Sequence, residues 1–299
     1  MTPVCQQTKV VQVTPHKEGS VRQEPAPEAE LADRELADRE LAEFALEHVT
    51  VHFGGLTALS DASLSVAPRS VHGVIGPNGA GKTTLFNVAC GFVRPDEGRV
   101  VLRGRHLPQL RPHHLPRLGI ARTLQGLGLF EGVSVLDNVM LGADHHARSG
   151  FAAALFRLPG SRRAEHDLRT RAMEALDSLG MAHLAAAYPG GLPYPLRKRV
   201  ALARALVCEP SLLLLDEPAS GLGADEIEEL GLLVRSLGER MSVLLVEHHM
   251  DLVMEVCDEI TVLDFGRVIA HGSPAQVRED PQVLDAYLGD ASLAEEGTA

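Results

Sequence analysis

Tryptophan is absent from this 299-residue chain and aromatic residues make up only 4% of it. Its core must therefore be built from leucine, valine, alanine and isoleucine, which the 45% hydrophobic content allows. Basic residues are in deficit, 28 Lys and Arg against 40 Asp and Glu, for a net charge of −12. That balance speaks against a nucleic-acid binder, which usually presents a basic face, although Arg197-Lys198-Arg199 forms a local basic run. No apolar run approaches the length of a membrane span. The opening MTPVCQQTKVVQVTPHKEGS has no apolar h-region, so no secretory signal is expected. The four cysteines, Cys5, Cys90, Cys208 and Cys257, show no CxxC spacing and are expected to stay reduced. The last three sit in apolar contexts and read as core thiols.

The length suits one large domain or two small ones. Residues 1–43 begin polar and proline-containing, then repeat a five-residue unit in ELADRELADRELAEF. A five-residue step turns a helix by about 500°, so Leu31, Leu36 and Leu41 form no single stripe. The segment is expected to be a disordered extension with a marginal helix, or alternatively a docking helix. From Phe44 the pattern alternates as strands do, in FALEHVTVHF and ASLSVAP. SVHGVIG reads as a short strand ending in glycine, KTTLFNVACGF as a helix and GRVVLRG as a strand. Residues from about 120 to 206 read as mainly helical, as in AEHDLRTRAMEALDSLG. SLLLLDEP, MSVLLVEH and EITVLDFG are uniformly apolar, as suits parallel strands covered on both faces. The fold expected over 44–290 is α/β, with a mainly parallel sheet, an antiparallel β subdomain and an inserted α-helical subdomain. Residues 291–299 are expected to be a flexible tail.

GPNGAGKT, Gly76 to Thr83, matches G-x-x-x-x-G-K-[ST]. Glycines let the backbone wrap so that successive N–H groups point at phosphate oxygens, and the following helix adds its positive end. The candidate contacts are Gly76, Pro77, Asn78, Gly79, Ala80, Gly81, Lys82, Thr83 and Thr84. Lys82 would reach the β and γ phosphates of ATP, and Thr83 would offer its hydroxyl to Mg²⁺. The plainer reading is a glycine-rich turn without nucleotide. The pattern follows a strand and opens a helix, which favours phosphate. LLLLDE ends in Asp216 and Glu217, at the ligand edge of such a sheet. Asp216 would hold Mg²⁺ through water, and Glu217 would orient or deprotonate the attacking water. A solvated carboxylate pair is the alternative. His113-His114 and His145-His146 lack metal-site spacing and read as solvated.

GPNGAGKTT, the glutamine in GIARTLQ, LPYPLRKRVALARAL, LLLLDEP and LLVEHHM follow in that order. As a set over residues 44–290 they resemble the ATP-binding subunit of an ABC transporter. The resemblance implies an ATPase with an α/β lobe and a helical lobe, two subunits sandwiching two ATP molecules head to tail. It implies that Phe53 stacks on adenine (or is a core Phe), and that Gln125 senses Mg²⁺ and the γ-phosphate. It makes His248 the switch histidine and His249 a bystander. FGGLTALSDASLSV, GIARTLQGLGLFEGVSVLDNVMLG and the closing EHHMDLVMEVCDEITVLDFGRVIAHGSPAQVREDPQVLDAYLGD are similar to branched-chain amino acid importers and relatives that take up urea or short amides. That likeness implies two membrane permease subunits, an external binding protein and a place at the cytoplasmic face of the membrane. Phe130, Val133 and Val135 are candidates to receive a permease helix, or else helical-lobe core.

The family pattern breaks at two places. Where the family reads L-S-G-G-Q, or a variant with Tyr third, this chain has Leu192-Pro193-Tyr194-Pro195-Leu196. The family's serine and glycines bind the γ-phosphate held by the opposite subunit, and proline removes such donors. Proline at the first helical position should not harm the fold. At Gly223 the family commonly has Asp or Asn. These departures favour a heterodimer, whose partner carries an intact loop, over a homodimer. They also admit a weakly hydrolytic regulatory half, while a soluble ABC ATPase acting on DNA or ribosomes is the other alternative.

Overall fold

The computed structural model describes residues 42–123, 127–146 and 159–287. The pentapeptide repeat, the C-terminal tail and Gln125 lie outside them, as do the side chains of His145 and His146.

A six-stranded sheet carries the site. Its strands are β3 (Val71–Ile75), β6 (Ile120–Arg122), β7 (Leu212–Asp216), β8 (Ser242–Val246), β9 (Glu259–Asp264) and β10 (Arg267–Gly272). Their order is β10-β9-β3-β8-β7-β6, parallel except for the β9–β10 hairpin. The hairpin turns on Phe265 and Gly266, both at positive φ (42° and 79°), the backbone that two-residue hairpin turns require.

Side chains alternate across a strand, and β7 shows the result. Leu213 and Leu215 enter one core, while Leu212 and Leu214 enter the other. All four are at most 1% exposed, and each such burial stabilises by roughly 1.5–3 kcal/mol. The first core lies against α5 (Ala224–Gly238), α6 (Met250–Val256) and the helical region. The second lies against α1 (Lys82–Ala89) and a second sheet.

The second sheet holds β1 (Phe44–Phe53), β2 (Leu56–Val66), β4 (Glu97–Leu102) and β5 (Arg105–His106), antiparallel in the order β2-β1-β4-β5. β1 begins at the expected boundary of 44, and contacts with this sheet start just before it. Ala42 is buried, the N–H of Glu43 donates to Val66 O at 2.9 Å, and the Glu43 carboxylate pairs with Arg103.

The helical region contains α2 (Val135–Met140), α3 (Pro159–Ser178) and α4 (Tyr194–Leu206). Its expected start near 120 needs correction. Residues 120–122 form β6, whose main chain pairs with Leu212–Leu214. Only three residues long, that strand is too short to show a period. A further helix, α7 (Pro274–Glu279), follows β10, with Ser273 as its N-cap. Among the described residues no helix is long and apolar enough to cross a membrane.

Candidate active site

Register brings the candidate residues together. Val74 on β3 stands beside Val246 on β8, and Val246 stands beside Asp216 on β7. The chain leaves this row at three neighbouring points. β3 runs into the phosphate loop, β7 into Glu217, and β8 into Glu247 and His248. The N–H of Glu217 donates to Val246 O at 2.8 Å, locking one exit onto the next strand.

The phosphate loop needs its glycines for conformation and room. Gly76 has φ 153°, and a Cβ there would meet Leu263 O at 2.1 Å. Gly81, the N-cap of α1, has φ 103°, and a Cβ would meet Ala58 O at 2.7 Å. Gly76, Pro77 and Ala80 are buried, whereas Asn78, Gly79 and Thr83 are exposed. Lys82 and Thr84 are half-buried. Lys82 Nζ donates to Gly76 O at 2.7 Å and Pro77 O at 2.8 Å, so the ammonium lies against its own loop. Phe53 is 52% exposed at the end of β1 and is not a core phenylalanine.

Burial raises the Asp216 carboxyl to about 6, and the nearby Glu217 and Glu247 add to the rise while Arg122 opposes it. Arg122 in turn lies over the Phe92 ring at 4.0 Å. Glu217 is half-buried and has φ 47°, a left-handed backbone uncommon for a residue with a side chain. Asp216 and Glu217 line a cavity of about 340 Å³ whose wall also includes Pro193, Pro195 and Lys198. His248 is exposed, its ring 4.4 Å from that of His249.

The proline-bearing loop feeds α4. Pro193 is the N-cap, at φ −52° and ψ 151°, and Tyr194 is the first helical residue. Pro195 therefore takes the second helical position, not the first. It is still accommodated, because the first four N–H groups of a helix have no partner within it. Pro193 and Tyr194 are exposed. Gly223 is the N-cap of α5 and carries no side-chain cap; its N–H donates to the Glu226 carboxyl at 2.5 Å.

Of the candidate permease contacts, Phe130 is 59% exposed and Val133 half-buried, but Val135 is fully buried in the first core. It belongs to the core reading, because it begins the short helix α2 and faces inward. Asn138 carried no signal in the sequence beyond a polar residue within a helix, yet it is fully buried and shapes this loop. Its Oδ1 accepts from Phe130 N–H at 2.8 Å, and its Nδ2 donates to the carbonyls of Phe130, Val133 and Ser134 at 2.9–3.2 Å. The thiols of Cys90 and Cys257 are buried and pushed up to about 12 by burial, and half-buried Cys208 to about 11, so all three are inert. Among the described residues, the one group of side chains spaced to hold a metal is Glu247, His248 and His249. The Glu247 oxygens, however, are already taken by backbone N–H groups.

A glycine-wrapped phosphate loop opening a helix, with an acidic pair at the same edge of a parallel sheet, defines a P-loop ATPase. Residues 59–220 match the ABC transporter family, and residues 267–292 match the branched-chain amino acid ATP-binding cassette transporter family. The chain belongs to the ABC transporter family, as one of its ATP-binding subunits. It is 38% identical over 245 residues to the high-affinity branched-chain amino acid transport ATP-binding protein BraF of Pseudomonas aeruginosa, spanning 81% of this chain and 96% of that protein. It is also 38% identical over 243 residues to LivG of Escherichia coli K12, at 81% and 95% coverage. Among solved structures, it resembles a nucleotide-free ATP-binding cassette from an ABC transporter, with 30% identity and a TM-score of 0.70 over 82% of this chain and 98% of that one. A dimeric cassette in a post-hydrolysis state, bound to ADP and Pi, aligns with 25% identity and a TM-score of 0.64 over 77% of this chain and 98% of that one.

Proposed function

We propose that this chain powers an importer of branched-chain amino acids or related small polar solutes. It would sit at the cytoplasmic face of the membrane against two permease subunits, with an external binding protein choosing the solute. The 38% identity to BraF and LivG, over more than nine-tenths of each, is the observation that carries this reading. Phe130, presented by Asn138, is the contact offered to a permease helix. The test is uptake of labelled leucine, isoleucine and valine by cells lacking this chain. Uptake is expected to fall, and to return with the wild-type chain but not with Lys82→Ala. Unchanged uptake of all three would sink the substrate assignment.

In this reading the loop from Gly76 to Thr84 holds the phosphates of ATP, Lys82 reaches the β and γ groups, and Phe53 stacks on the adenine. Glu217 orients and deprotonates the attacking water, and His248 contacts the γ-phosphate. Thr83, Gln125 and Asp216 would hold Mg²⁺, which when bound neutralises charge developing on the γ-phosphate. The donors fit a hard cation: an exposed hydroxyl, and a carboxyl crowded by two other acids.

The burial of Asp216, with the two neighbouring acids adding to it, has a pH consequence. The folded-state value of about 6 lies above the ordinary 3.8, so the native chain holds a proton on Asp216 between those limits. The stability this proton contributes is complete below about pH 4 and is lost as pH rises through about 6. Binding Mg²⁺ must displace the same proton. Apparent Mg²⁺ affinity is therefore expected to fall more steeply below pH 6 in the wild type than in Asp216→Asn, whose remaining slope is that of the nucleotide phosphate. Magnesium titrations of nucleotide binding from pH 5 to 8 measure both slopes, and equal slopes would contradict the assignment of Asp216.

A further inference from the structure

Glu247 follows the apolar run of β8 and is 0% exposed. Acidic residues are almost never fully buried unless partnered. Its hydrogen bonds among the described residues are all with backbone N–H groups, and the His248 ring Nδ1 lies farther off, at 3.7 Å. One carboxyl oxygen accepts from Ala219 at 2.6 Å, and the other from His248 at 2.9 Å and His249 at 3.2 Å. One side chain thus joins two loops from adjacent strands: the loop holding Asp216 and Glu217, and the loop holding His248. From the far side, Lys198 on α4 donates Nζ to the carbonyls of Pro218, at 2.6 Å, and Ser220. Residues 218–220 are gripped at an N–H by Glu247 and at two carbonyls by Lys198.

We propose that Glu247 is a positioning residue for ATP hydrolysis, holding the backbones at Ala219 and His248 so that Glu217 and His248 keep one mutual geometry. This rests on the roles proposed above for those two residues. The chemistry of the pocket is one-sided: three donors meet two acceptor oxygens. A glutamine in this place has one acceptor oxygen, and its NH₂ must face an N–H. Either Ala219 or the pair His248–His249 then loses its acceptor. An aspartate keeps both oxygens but is a methylene too short to serve both loops. The Glu247 side chain makes no hydrogen bond to the phosphate loop among those described, so nucleotide binding should be spared.

The test is steady-state ATPase of the assembled transporter carrying wild type, Glu247→Gln, Glu247→Asp or, in parallel, Glu217→Gln. Glu247→Gln is expected to lower kcat about 10–100-fold, the scale of a small misplacement at a reacting centre, with KM for MgATP within about twofold. Glu247→Asp should fall between it and wild type. A wild-type kcat for Glu247→Gln beside an inactive Glu217→Gln would overturn the positioning role alone. Wild-type rates in both would overturn the site reading beneath it. A rise in KM and a fall in Tm matching the loss of kcat would make Glu247 merely structural, and would also overturn the proposal. Should the variants not fold, amide exchange in the wild-type full chain decides. Ala219, His248 and His249 should be protected as strongly as β7 and β8, and loop-like exchange at these amides would refute the clamp.

Discussion

Glu217→Gln is expected to slow ATP hydrolysis by about 10²–10⁴-fold, the range supplied by a positioned general base, while leaving ATP bound. Gln matches Glu in size and keeps a hydrogen-bonding head, so what it removes is the capacity to take a proton. The backbone at this position is set independently of the side chain. Its N–H is held on Val246 O at 2.8 Å, and its φ of 47° is imposed by the exit from β7. The variant should therefore fold and bind nucleotide normally. Single-turnover hydrolysis in the assembled transporter measures the rate, and retention of ATP on gel filtration measures the trapped state. Hydrolysis at the wild-type rate would remove Glu217 from the mechanism.

The second large effect concerns the loop Leu192–Leu196, which the family resemblance sets against the ATP of an opposite subunit. In the reading as a heterodimer, the chain alone should hydrolyse ATP poorly, and Pro193→Ser with Pro195→Gly should raise its rate by about 10²–10⁴-fold. The magnitude follows from two restored hydrogen bonds to a charged phosphate, each roughly 1.5–3 kcal/mol, at about 1.4 kcal/mol per factor of ten. The geometry favours the gain. Pro193 already has the extended backbone of an N-cap, at ψ 151°, where serine is a preferred residue. Pro195 sits where the helix leaves its N–H unpartnered, so a restored donor would point outward. ATPase assays of both forms, alone and with a partner subunit carrying an intact loop, discriminate the cases. Full activity of the unaltered chain alone would defeat the heterodimer reading. No gain from the double variant would mean that the prolines do not limit the rate.

The parts of the site readable from sequence are those whose chemistry is contiguous. A phosphate loop needs Gly76 and Gly81 for backbone that other residues rarely adopt, so the requirement is written in adjacent letters. The run Leu212–Leu215 announces a strand covered on both sides, and that alone places Asp216 and Glu217 at the end of that strand. The parts that were not readable depend on distance along the chain. β6 is three residues long and exists because β7, some ninety positions later, offers it a partner. Val135 could face a neighbour or the core, and a six-residue helix shows too little period to choose.

The sequence alone determined a phosphate loop and an α/β order, because backbone geometry and hydrophobic period are local properties, while the ABC type came from the resemblance that its ordered motifs bear to that family. Tertiary structure decided how the local pieces are held in register. Glu247 looks in sequence like one more residue of the run ending in His248, and Lys198 like part of a basic patch. Only the pairing of β7 with β8 and the placement of α4 bring both onto residues 218–220. Burial then leaves the Glu247 carboxyl group to be hydrogen-bonded by the backbone N–H groups around it, and that constraint is set by the fold.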